Sequence, residues 1–206
     1  MMHLQKKSLA RLAGAVLVGL MTAGPMLGSS CEAAEAQTWD FASDAQNWSY
    51  IGGWSYSGQA AAAWDSFNGG SLKVNVDFSK DKDQTWSEVK LSDSAVTDST
   101  PVKVGTGIST VSFDLFFDPT QIKGDSTLKA KIYAKSVKGD EVINQSVDEL
   151  NLAAAKAVPG SNLKRVHVKA ILDDPVSVDI GHLEISLVSY LTSYKGDLYL
   201  DDITLR

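Results

Sequence analysis

Hydrophobic and polar residues alternate along much of this chain with a period of two, the spacing that sends successive side chains to opposite faces of a β-strand. Leu72, Val74, Val76 and Phe78 alternate with Lys73, Asn75 and Asp77. Val89 and Leu91 continue such an apolar face, while Trp86, Glu88 and Lys90 take the opposite one. The stretch from Gly69 to Leu91 therefore predicts two strands joined by a charged, solvated loop. Further along, Val111, Phe113, Leu115 and Phe117 oppose Ser112, Asp114 and Phe116, and Leu128, Ala130, Ile132 and Ala134 oppose Lys129, Lys131, Tyr133 and Lys135. Val166, Val168 and Ala170 then face away from Arg165, His167 and Lys169, and Leu183, Ile185 and Leu187 from Glu184, Ser186 and Val188. A last strand is expected from Leu198 to Leu205.

Turn clusters punctuate these runs: Pro119-Thr120, Lys123-Gly124-Asp125, Lys138-Gly139-Asp140, Pro159-Gly160-Ser161 and Lys195-Gly196-Asp197. Short strands at such spacings make an all-β sandwich of antiparallel sheets. One piece is compatible with a helix, residues 152–158, and it stops at Pro159. Residues 59–64 and 141–158 carry no pattern that assigns them. There is no internal repeat, no coiled coil and no second domain.

Four of the five tryptophans, Trp39, Trp48, Trp54 and Trp64, fall close together before this region, among Gly, Ser and Asn. Trp39 and Phe41 suit alternate positions of a first strand, and Trp48 is expected in the core. Trp54, between Gly53 and Ser55, is expected in a loop and exposed, and Trp64 fits either environment. Trp86 stands on the polar face of its strand beside a carboxylate and an ammonium. That composition makes a platform on which a sugar ring stacks while its hydroxyls are hydrogen-bonded. A tryptophan lying under a loop would give the same pattern.

The first 36 residues read as a secretory signal peptide. Lys6, Lys7 and Arg11 precede an apolar run from Leu12 to Leu27, and Ala34-Glu35-Ala36 supplies small residues where a signal peptidase reads. An uncleaved anchor fits less well, because the run contains Gly14, Gly19, Gly24 and Pro25. Cys31, the sole cysteine, offers a lipoprotein alternative, but Gly28 stands three residues before it where such signals carry Leu. The expected product is a secreted domain of residues 37–206 with no cysteine, 16 basic and 23 acidic residues. That length buries a full core in one domain without disulfides. Its negative charge disfavours nucleic acid and anionic membranes, and is indifferent to a neutral ligand.

Asp40-Phe41, Gly-Gly-Ser-Leu-Lys-Val at 69–74, Trp-Ser-Glu-Val-Lys-Leu at 86–91, Ser-Phe-Asp-Leu-Phe-Phe at 112–117 and Gly-Asp-Leu-Tyr-Leu-Asp-Asp-Ile-Thr-Leu at 196–205 together resemble non-catalytic carbohydrate-binding modules. They are most similar to the mannan-binding modules of family 27 that accompany bacterial β-mannanases. The resemblance implies a jelly roll with a concave cleft in which exposed tryptophans clasp a β-1,4-mannan or a mannooligosaccharide. A related plant polysaccharide would be an alternative ligand, and a β-mannanase catalytic domain a possible companion.

The motif match carries the stacking role onto Trp86, with Trp54 and Trp64 as further candidates. Alternation adds Glu88, Lys90, Asp114, Phe116, Lys131, Tyr133, Arg165 and His167, provided their strands share a sheet. For Lys131, Arg165 and His167 a solvated strand face is the competing account. The resemblance also implies a structural Ca²⁺ between the first and last strands. Asp201 would be one ligand, and Asp40 or a carbonyl between Asn68 and Ser71 another. Otherwise Asp201 and Asp202 end the last strand with solvated charge.

Two other classes use the same frame. A glycoside hydrolase or lyase would need two carboxylates about 5 to 9.5 Å apart, for which Glu88 with Asp114 or Glu184 are the candidates. A structural or adhesion domain would leave Trp86 as packing.

Overall fold

The computed structural model describes residues 36–147 and 150–206. Residues 1–35 of the expected signal peptide lie outside it. Among the described residues twelve strands follow one another, with three single-turn 3-10 helices between them. They are β1 (Gln37–Trp39), β2 (Trp48–Trp54), β3 (Ala61–Asp65), β4 (Ser71–Asp77), β5 (Ser87–Asp93) and β6 (Ile108–Phe117). After them come β7 (Thr127–Ser136), β8 (Glu141–Val147), β9 (Lys156–Ala157), β10 (Lys164–Val176), β11 (Ile180–Tyr190) and β12 (Lys195–Leu205). All pairings are antiparallel and divide the strands between two sheets. One sheet runs β3-β4-β12-β6-β10-β9, with β1 also on β12, and the other β2-β5-β11-β7-β8. The result is a jelly-roll β-sandwich.

The alternation fixes what lies between the sheets. Leu72, Val74 and Val76 of β4, Val111, Phe113 and Leu115 of β6, and Leu198 and Leu200 of β12 are buried from one side. Val89 and Leu91 of β5, Leu128, Ala130 and Ile132 of β7, and Leu183, Ile185 and Leu187 of β11 meet them from the other. Trp39 and Trp48 join this core edge to face, 5.6 Å between ring centres, and the Trp39 indole donates to Asp93 Oδ2 at 2.8 Å.

β4 and β5 are not a hairpin: they belong to different sheets, so the segment between them crosses from one layer to the other. Nor is that segment uniformly solvated. Lys80, Lys82 and Asp83 are exposed, but Asp81 is buried. The helix-compatible piece forms a 3-10 turn over Leu152–Ala154 and then the two-residue β9. The two stretches without a pattern contain β3 and β8, both at sheet edges, where exposure on both faces removes the apolar period.

Candidate carbohydrate-binding site

The outer face of the five-stranded sheet carries the side chains that alternation turned away from the core. Register sets them in rows across the strands. Trp54 of β2 pairs with Glu88 of β5, and Glu88 with Val188 of β11. In the next row Lys90 pairs with Ser186, which pairs on its other side with Lys131 of β7. In the third, Ser92, Glu184 and Tyr133 lie abreast.

Trp86 stands just before β5, on the same face as Glu88. Its indole Nε1 donates to Glu88 Oε1 at 2.6 Å, and Lys129 Nζ lies 5.8 Å from the ring centre. Trp54 is the last residue of β2 rather than a loop residue, and 58% of it is exposed. Together Trp54, Trp86, Glu88, Lys90 and Lys131 line a groove of about 390 Å³.

Beneath the rings the polar groups bind one another. Lys90 Nζ lies 3.0 Å from Glu184 Oε1 and 3.6 Å from Glu88 Oε2. The Ser186 hydroxyl sits between the same carboxylates, 3.2 Å from Glu88 Oε2 and 3.4 Å from Glu184 Oε1. Burial pulls the Lys90 ammonium toward neutrality, but the bond to Glu184 and the charges of Glu184 and Glu88 outweigh it, so its pKa is raised. The ammonium is thus held charged. At the far end of the face, Tyr133 meets His182 edge to face, 6.3 Å between ring centres. Glu184, Ser186 and Lys129 are parts of this surface that a search for tryptophans overlooks, although the alternation of β7 and β11 puts each on it.

The condition that all candidate strands share a sheet fails. Asp114 and Phe116 lie on β6 and Arg165 and His167 on β10, both in the seven-stranded sheet. Asp114 there accepts from His167 Nδ1 at 2.9 Å and pairs with Arg165 Nη1 at 3.3 Å, while Phe116 packs under Phe67. Alternation assigns a face within a strand but not the sheet that the strand joins. Trp64 is likewise displaced. It pairs with the core residue Leu72 from the edge strand β3, and its indole donates to the Phe41 carbonyl at 2.7 Å.

Of the expected metal ligands, Asp40 is exposed, with Oδ1 accepting from Ala42 N and Gln46 Nε2. It makes no bond to Asp201. Asp201 is buried where β12 passes from pairing with β4 to pairing with β1. Its carboxylate accepts from Asn68 Nδ2 at 3.2 Å and from the Asp202 amide at 2.8 Å. Burial pushes its pKa up to about 6, helped by the charges of Asp202 and Asp114. Ser71, one residue beyond the Leu72–Leu200 pair, has a buried hydroxyl with no hydrogen-bond partner. Asn68 turns its Nδ2, a donor, toward Asp201, so the Asp201 carboxylate and the unpartnered Ser71 hydroxyl are the side-chain oxygens there that a Ca²⁺ could use, without Asp40.

Comparison with known families matches residues 29–206 to the model for carbohydrate binding module 27. The chain belongs to that family. It is therefore a non-catalytic carbohydrate-binding module, and the hydrolase reading of Glu88 falls away. Comparison with curated protein sequences finds no match. Among solved structures, family 27 module 1 of Caldicellulosiruptor saccharolyticus in complex with mannohexaose is similar at 17% identity and a TM-score of 0.61, covering 84% of this chain and 97% of that one. The module TmCBM27, described for specific mannan recognition, is similar at 20% identity and a TM-score of 0.55, covering 84% and 98%. A family 28 module specific for non-crystalline cellulose matches at 17% identity and a TM-score of 0.54, covering 78% and 88%. At these identities the likeness shows the shared fold.

Proposed function

We propose that this module binds β-1,4-mannan and mannooligosaccharides in the groove between Trp54 and Trp86. The observation that carries this is the placement of two indole rings on one sheet face, with Glu88, Lys90 and Lys131 between and beside them. Apolar C–H patches of a neutral sugar stack on the rings, and the charged groups meet its hydroxyls. Lys90 is paired with Glu88 and Glu184 within the site rather than left for a ligand charge, which suits an uncharged ligand. The choice of mannan follows the family and the ligands named for its two structural relatives.

Asp201 with the Ser71 hydroxyl and a carbonyl between Asn68 and Ser71 would hold a structural Ca²⁺, on the sheet opposite the groove. The charged and apolar start of the chain and its Ala34-Glu35-Ala36 exit support export by a cleaved signal, and a β-mannanase catalytic domain is the companion that the family suggests.

Isothermal titration of residues 37–206 with mannohexaose and cellohexaose tests the binding reading. Mannohexaose should bind, and Trp86→Ala should lower its affinity at least about tenfold in a folded protein, in line with truncation of an aromatic anchor. Stronger binding of cellohexaose would replace mannan with a β-glucan. No heat with either sugar would overturn the reading.

A further inference from the structure

Asp81 is 1% exposed, although it sits among exposed Lys80, Lys82 and Asp83. Its carboxylate accepts the Ser57 backbone N–H, at 3.2 Å through Oδ1 and 3.1 Å through Oδ2. Oδ2 also accepts from the Ser87 hydroxyl at 3.2 Å. Among the described residues no cation pairs with it. A buried carboxylate held only by neutral donors makes unusually strong demands on their geometry, because each lost bond leaves charge uncompensated in a low dielectric.

Those donors sit next to the two groove tryptophans. Ser57 is three residues past Trp54, and Ser87 follows Trp86 directly. The Ser57 segment has a second fastening to the same neighbourhood. The Tyr56 hydroxyl accepts from the Asp77 amide at 3.0 Å and donates to the Gln59 carbonyl at 2.8 Å, while its ring packs against Phe78, 5.1 Å between centres. Gly58 passes so close to the Asp77 carbonyl that a Cβ there would be 2.2 Å from its oxygen. The end of β2 is thereby pressed onto the crossing segment that leads into β5.

We propose that Asp81 is a positioning residue for sugar binding, tying the Ser57 segment to Ser87 and so setting the separation of the Trp54 and Trp86 rings. This rests on the groove being the sugar site. Asp81 touches no ligand and acts through the two tryptophans.

Two measurements test it. In the ligand-free domain, NMR relaxation of the indole N–H groups compares Asp81→Ala with the parent. The Trp54 indole should shift and gain mobility while the core Trp48 indole stays as it was. Mannohexaose affinity should fall about tenfold in Asp81→Ala. The same substitution made in Trp54→Ala should cost less than about twofold more, since the ring it positions is gone. Asp81→Asn, which keeps an acceptor for the Ser57 N–H, should recover most of both losses.

An unchanged Trp54 indole in folded Asp81→Ala overturns the proposal, as does an equal affinity loss in the presence and absence of Trp54. If Asp81→Ala does not fold, Ser87→Ala removes one of the bonds and carries the same comparisons with smaller changes. Absence of mannohexaose binding by the parent domain would sink the sugar reading alone, and the ligand-free indole comparison would still decide the role of Asp81.

Discussion

Trp86 and Glu88, two residues apart on one face, form a donor–acceptor pair in which the indole Nε1 lies 2.6 Å from Oε1. A half-buried indole held this way has one orientation before any ligand arrives, which lowers the entropy lost on binding. The same carboxylate anchors Lys90 and Ser186 through its other oxygen.

Glu88→Ala should therefore harm both binding and stability. Loss of the buried acceptor frees Trp86 and leaves Ser186 short of a partner, at about 1–3 kcal/mol in stability. Mannohexaose affinity should drop about tenfold. Glu88→Gln still offers Oε1 to the indole and should keep most of the affinity. Urea unfolding and titration calorimetry on both variants check this.

The internal pairing of Lys90 with Glu184 and Glu88 predicts that mannohexaose affinity is nearly independent of salt. Between about 50 and 500 mM NaCl the dissociation constant should change less than twofold, because short buried pairs are weakly screened and the ligand is uncharged. A steep decline with salt, read by titration calorimetry, would point to an anionic polysaccharide instead.

Asp201 leads to a metal-dependent prediction. Melting of the domain should rise by several degrees when Ca²⁺ in excess replaces EDTA, since a ligand that binds only the folded state stabilises it. Asp201→Asn should abolish that difference. Differential scanning calorimetry of the two proteins in the two buffers is the measurement.

Tyr194 gives the pH prediction. Burial pushes its pKa up to about 12 against an ordinary 10, and its hydroxyl donates to the Asp197 carbonyl while accepting from the Asp118 amide. The folded state then holds the proton where the unfolded chain releases it. Its contribution is complete below pH 10 and is lost as pH rises from 10 to 12, by roughly 2–3 kcal/mol. Tyr194→Phe should be less stable at pH 8 by about 1–3 kcal/mol, and the gap should close across that window in guanidinium unfolding.

Gly70 has φ 133°, a backbone conformation that side chains rarely adopt, and a Cβ there would stand 2.2 Å from the Phe41 carbonyl oxygen. Gly70→Ala should lower the melting temperature by about 10 °C or more, or prevent folding, through combined strain and collision. Circular dichroism melts decide it.

Most strands between Leu72 and Leu205 were legible, β8 and β9 excepted, because their outward positions carry mainly polar residues even where neighbours cover them, as at Glu88, Asp114 and Glu184, so the period of two survives in the sequence. That legibility stops at the strand. Asp114 and Glu184 have equivalent local patterns, yet one joins β6 and the other β11, on opposite outer faces of the sandwich. Sheet membership depends on pairings between residues far apart in the chain, as with Asp114 and His167 or Glu184 and Tyr133. Trp54 was legible as exposed but not as strand, since Gly52 and Gly53, just past a register shift between Tyr50 and Gly52, hide its pairing with Glu88. Asp81 looked like one more loop charge, because its burial comes from Ser57 folding over it.

The three-residue β1 lies antiparallel along the end of β12, Gln37 opposite Leu205. Both ends of the fold consequently emerge side by side. Any polypeptide attached at either end would carry the module from a single pivot, like a flag on a staff. The domain would then hang beside the body to which it is joined, adding no link to the line of that body.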